Sequence, residues 1–185
     1  MIDKKSEIVE NVQTLSLTNI RTRAIIETII ALAIAVITPA LLAYAPQNQF
    51  VVGTIVNAVL FWVALRVGVV NALFIAVIPS LIALFRGLLP PVAVAVVPFI
   101  IFGNCALILA FSFIKANLWV RIAASSLIKS IVIFLPTFLF LESSPLVTFM
   151  MSWPQLITAL AGGIIVVGLN SYLVKKNSAS GITQN

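Results

Sequence analysis

The sequence predicts an all-α membrane protein of six transmembrane helices with its N- and C-termini in the cytoplasm. Three observations lead there: an apolar composition, a series of apolar runs separated by short polar breaks, and basic residues gathered on one side. Hydrophobic residues make up 62% of the 185 and charged ones 9%, with a mean hydropathy of +1.20. Soluble domains carry roughly a quarter charged residues, so a water-soluble fold is excluded. The length accommodates about six spans of roughly 20 residues and leaves no room beside them for an ATPase domain.

Residues 1–20 form a polar N-terminal segment with Ile8, Val12 and Leu15 at helical spacing, open to two readings, a short surface helix or a disordered stretch. No cleavable signal peptide is expected there. The membrane domain covers residues 21–176. Ser16, Thr18 and Asn19 are N-cap types ahead of the first long apolar run, so the first span is placed at about 24–45, with Pro39 kinking its outer half. Pro46-Gln47-Asn48-Gln49 turns the chain into a second span at about 50–65. Gly68 to Asn71 leads to a short third span at about 72–85, which contains Pro79.

The loop Arg86-Gly87-Leu88-Leu89-Pro90-Pro91 cannot continue a helix, because each proline lacks an N–H and restrains the residue before it. A fourth span follows at about 95–114 with Pro98 in its first turn, a fifth at about 119–141 with Pro136, and a sixth at about 153–174. Residues 177–185 read as a polar tail. Breaks at prolines 39, 79, 98 and 136 imply a crevice, since freed backbone at membrane depth must line a cavity or be covered by protein.

Orientation comes from the charges. Lys4, Lys5, Arg21, Arg23, Arg66, Lys115, Arg121, Lys175 and Lys176 fall on one side and Arg86 alone on the other. Basic loops stay in the cytoplasm, which places the Gln47–Gln49, Arg86–Pro91 and Glu142–Ser152 loops outside. The net charge of +6 is therefore a matter of topology, and without a basic run interleaved with aromatics it gives no footprint for nucleic acid.

Enzymatic chemistry finds little to stand on. The chain has no histidine, a lone cysteine, Cys105, and five scattered acids, so neither a metal cluster nor a carboxylate pair is expected. What remains are polar side chains at membrane depth. Lys129, at the centre of the fifth span, needs a polar cavity, a partner such as Glu27, or a route to the headgroups, because a charge in hydrocarbon costs at least a few kcal/mol. Asn57 and Asn104 lie near mid-depth in the second and fourth spans, where an amide either glues helices or meets a ligand. Arg86 opens an outer loop, either to attract an anion or to pair with Glu142. Gly162-Gly163 and Gly168 read as close helix packing.

This pattern resembles the S components of energy-coupling factor (ECF) transporters, small six-helix membrane subunits that take up vitamins, their precursors and metal ions. The likeness covers roughly residues 20–176. It rests on the size and topology, the small-residue face Ala31-xxx-Ala35, the compact Arg86–Pro91 connection, and the last span Gln155-Leu-Ile-Thr-Ala-Leu-Ala-Gly-Gly163 with its basic ending. The resemblance implies a subunit of the bacterial cytoplasmic membrane that binds a small organic, vitamin-like solute from outside; Arg86 and Lys129, the two cationic side chains away from the cytoplasmic surface, suit an anionic one. Its partners would be a transmembrane coupling subunit and two cytoplasmic ATPases, which alone use ATP; no cofactor of its own is implied. Ala31 and Ala35 would be the docking residues, and Asn57, Arg86, Asn104 and Lys129 would line the substrate site. The histidine-bearing N-terminus of the cobalt and nickel members is missing, which argues against metal cargo. Two other readings stay open: a structural or accessory membrane protein without cargo, and a small independent secondary transporter.

Overall fold

The computed structural model describes residues 4–42, 48–85, 94–140, 148–149 and 151–179. Among these residues there are six principal helices: α1 (Lys4–Leu41), α2 (Asn48–Arg66), α3 (Val69–Phe85), α4 (Val97–Phe113), α5 (Leu118–Phe140) and α6 (Trp153–Ala179). Four are long and apolar enough to cross a membrane, over Leu17–Leu41, Gln49–Arg66, Leu118–Leu139 and Trp153–Lys176, while α3 and α4 are shorter apolar helices. The outer surface is apolar as well: Ile25, Ile29, Phe102, Ile131, Phe138 and Ile164 are all exposed. A soluble protein would not carry so continuous an apolar exterior, and lipid supplies the missing cover.

The helices differ from their expected bounds mainly at the two ends of the chain. α1 begins at Lys4 rather than near residue 24, so the polar segment is helical and continuous with the first span. The N-cap types between them do not stop the helix. Thr18 lies inside it, with its carbonyl accepting from the Thr22 hydroxyl, and no glycine or proline interrupts residues 4–23. α6 likewise runs past Val174 to Ala179.

The prolines break less than expected. Pro39, Pro79 and Pro136 all lie within helices that continue through them, and Pro98 occupies the first turn of α4, where its missing N–H has no partner to lose. Beside Pro136, the Thr137 hydroxyl donates to the Ile133 carbonyl at 2.7 Å, so a side chain steadies the turn that proline weakens. The expectation of four interrupted helices thus gives way to through-running ones.

The connection between α2 and α3 is tighter than the expected Gly68–Asn71 turn. The amides of Val67 and Gly68 both donate to the Val63 carbonyl at 2.9 Å, and Gly68 takes a φ of 134°, a conformation that a side chain disfavours. α2 is the centre of the bundle, touching α1, α3, α4 and α6, whereas α1 lies at the edge against α2 and α3. Leu60, Phe61, Val63, Ile75, Leu107, Ile108 and Phe111 fill the core between α2, α3 and α4, with Phe61 edge-on to Phe111 at 5.0 Å between centroids.

Ala31 and Ala35 belong to that same core, 5% and 0% exposed. The docking face expected at these two residues is therefore turned inward, and their small size lets α1 approach its own neighbours. What α1 presents outward is isoleucine: Ile26, Ile30, Ile34 and Ile37.

Glycines set the closest approaches. A Cβ on Gly162 would stand 2.6 Å from the Ala58 amide nitrogen and 2.8 Å from the Thr54 carbonyl oxygen, and one on Gly53 would stand 3.1 Å from Thr158. Residues 53 and 58 of α2 thus meet 158 and 162 of α6 in the same order, so these two helices are parallel. On the other side, Gly103 of α4 rests on Ile133 and on the Lys129 carbonyl of α5, while Arg121 at the start of α5 donates to the Phe111 carbonyl near the end of α4 at 2.7 Å. That pair is antiparallel. The Arg121 guanidinium also covers the Phe111 ring at 4.2 Å, closing this end of the α4–α5 pair.

Candidate functional site

Lys129 stands at the midpoint of α5 and Asn57 at the midpoint of α2, and the fold brings them together. The Lys129 ammonium donates to Asn57 Oδ1 at 2.5 Å, with the two residues 3% and 0% exposed. Asn57 in turn donates through Nδ2 to Thr158 Oγ1 of α6 at 3.4 Å, and Thr158 donates to the Gln155 carbonyl at 3.2 Å. A chain of hydrogen bonds therefore crosses three helices. Its direction is fixed at the far end, because a backbone carbonyl only accepts.

The sequence of α6 explains why Thr158 takes part. Thr158 and Gly162 are four apart and share one helix face, and Gly162 lets that face settle onto the α2 backbone. The threonine hydroxyl is thereby carried to the Asn57 amide. Nothing in the type or spacing of Thr158 marks it as polar machinery beforehand. The one signal is its place on the glycine-bearing face, which sequence reasoning had assigned to packing alone.

Lys129 does not reach the headgroups, being buried, and it does not meet Glu27. The Glu27 carboxylate accepts from Arg23 Nε at 2.8 Å on its own helix. Among the described residues no carboxylate lies within ion-pair distance of Lys129. A lysine whose bonded partner is a neutral amide in the middle of a helical bundle has no counter-ion among the described residues, and that makes this layer the candidate site.

Asn104, 4% exposed, lies near the midpoint of α4 at the same level, since neighbouring Gly103 rests on the Lys129 backbone. Its Oδ1 is buried without a partner, as is the Ser126 hydroxyl one turn before Lys129. Ser125, beside it, is satisfied locally by donating to the Ile122 carbonyl at 3.1 Å. Of the four side chains expected to line a site, Asn57, Asn104 and Lys129 thus share one level, and Arg86 lies outside the described residues, as do Glu142 and the Arg86–Pro91 loop.

A groove of about 240 Å³ opens between α5 and the start of α6, lined by Ser130, Ile131, Phe134, Ser152 and Trp153. Ile131 and Trp153 are exposed, so it faces outward. The rings of Phe50 and Phe149 pack against Trp153, tilted and edge-on, with centroids 6.0 and 5.3 Å away, gathering aromatics at the end of the bundle opposite Arg66, Lys115 and Arg121.

The helices and the buried polar layer define a helical membrane protein. Comparison with protein-family models, with curated proteins and with solved structures finds no match to the chain.

Proposed function

We propose that this chain is the substrate-binding membrane subunit of an ECF-type importer. It spans the bacterial cytoplasmic membrane six times with both termini inside, binds a small organic solute from the outer side, and hands it inward when driven by a coupling subunit and two ATPases. The observation that carries the reading is Lys129: a buried ammonium whose bonded partner is a neutral amide is costly to keep, and a bound solute supplies the reason for keeping it. The alternation of the helices and the one-sided charges support the topology. Docking is not assigned to Ala31 and Ala35, which are occupied within the chain.

An accessory membrane protein without cargo is the second reading. There an acid on a partner subunit, in place of a solute's, would neutralise Lys129. Purification in mild detergent tests the two together. An importer subunit brings down a coupling subunit and ATPases and releases a small molecule on denaturation. A preparation with neither one would sink the proposal.

A further inference from the structure

The unused hydrogen-bonding capacity around Lys129 specifies what a bound molecule must carry. An ammonium has three donors, and Lys129 commits one, to Asn57 Oδ1. The Asn104 oxygen and the Ser126 hydroxyl are buried and unpartnered, and both fall within about one helical turn of the lysine's level. Unpaired polar atoms are rare inside proteins, and three groups with spare capacity in one layer of a membrane bundle are not explained by packing.

Asn57 cannot rotate to satisfy them. Its Nδ2 is engaged by Thr158, whose own proton goes to the Gln155 carbonyl, so the amide is held with its oxygen on Lys129. The open positions are therefore of two opposite kinds: ammonium donors on α5 and an amide acceptor on α4.

We propose that this layer takes a small acid that also bears a hydrogen-bond donor. Its anionic oxygen sits on the Lys129 ammonium, and an N–H or O–H elsewhere on it meets Asn104 Oδ1. Thr158 is a positioning residue that keeps the Asn57 amide from presenting its N–H₂ to the lysine. A neutral apolar solute would leave both kinds of group unsatisfied, and a cation would be repelled. This rests on the reading of the chain as a solute-binding subunit.

The test is mass spectrometry of what the full-length, detergent-purified protein releases on denaturation, for the native chain and for Lys129→Met, Asn104→Leu, Thr158→Val and Thr158→Ser. The expected molecule is anionic at neutral pH and has an exchangeable hydrogen besides its acid group. Lys129→Met and Asn104→Leu lower its occupancy tenfold or more, and Thr158→Val lowers it where Thr158→Ser, which keeps the hydroxyl, does not. Variants that elute as the native chain does but still carry the full load overturn the proposal. So does a released molecule that is neutral, cationic or without a donor, in which case binding itself stands. If the native chain releases nothing, the binding reading falls and this one with it.

Discussion

Replacing Asn57 by Leu removes the acceptor from a buried ammonium while roughly keeping side-chain volume. A bond to a charged group contributes about 1.5–3 kcal/mol, and removing one partner of a buried ionic contact costs about 3–5 kcal/mol. Because the lost partner here is neutral, we place Asn57→Leu near the overlap, at about 3 kcal/mol. Lys129→Met leaves only an amide, which Thr158 still holds through Nδ2, so it costs about 1 kcal/mol. The double variant removes both polar groups and returns to within about 1 kcal/mol of the native protein; the single costs add to about 4 kcal/mol, so the coupling is about 3–5 kcal/mol. Unfolding in mixed micelles, followed by the fluorescence of Trp62, Trp119 and Trp153, reads all four corners of the cycle. Costs that add to within about 0.5 kcal/mol would refute the argument. A coupling near 0.6 kcal/mol, the average for hydrogen bonds between membrane helices, would reduce the pair to ordinary interhelical adhesion.

The glycines of α6 separate cleanly. Gly162→Ala drives a methyl into the α2 backbone and costs about 1–3 kcal/mol, whereas Gly168, with nothing within 4 Å of its Cβ position, gains about 0.5–1 kcal/mol from the same change; equal effects at the two sites, by the same unfolding assay, would show that α2 and α6 do not touch as described. Ala35→Trp, at a fully buried position, is expected to lower folded yield and solute binding together, and a variant that binds normally but fails in transport would instead return Ala35 to a docking role. In a Cys105→Ala background, cysteines introduced at Lys115 or Ser178 react with impermeant reagents only in inside-out vesicles; labelling in intact cells would invert the topology.

Much of the architecture was legible because membrane helices obey few rules. The apolar runs locate α2 to α6 to within a few residues, except where α3 starts early and α6 runs long, since an apolar run has no marker for where helix gives way to turn once polar residues of good helical propensity follow. The mid-depth level of Asn57, Asn104 and Lys129 was also legible, since each stands near the middle of a span. Their pairing was not. Which of Glu27 and Asn57 meets Lys129 depends on how α1 and α2 rotate about their axes, and for α2 that rotation is set where Gly162 and Gly53 bring it against α6. The Ala31-xxx-Ala35 face shows the same gap from the other direction: small residues four apart report that something packs closely, and not whether it is the chain itself or a partner.

α1 has a mechanical consequence of its own. Its 38 residues form one helix, of which the 13 from Lys4 to Ser16 precede the apolar segment that begins at Leu17; at 1.5 Å per residue they form an arm about 20 Å long. With no glycine or proline to serve as a hinge before Pro39, the arm moves as the membrane part moves. Taken about the buried contacts at Ala31 and Ala35, roughly 40 Å from Lys4 along the helix, a 10° tilt displaces its tip by about 7 Å. Any partner that grips the N-terminal arm thereby gains leverage on how the helices above it lie in the bilayer.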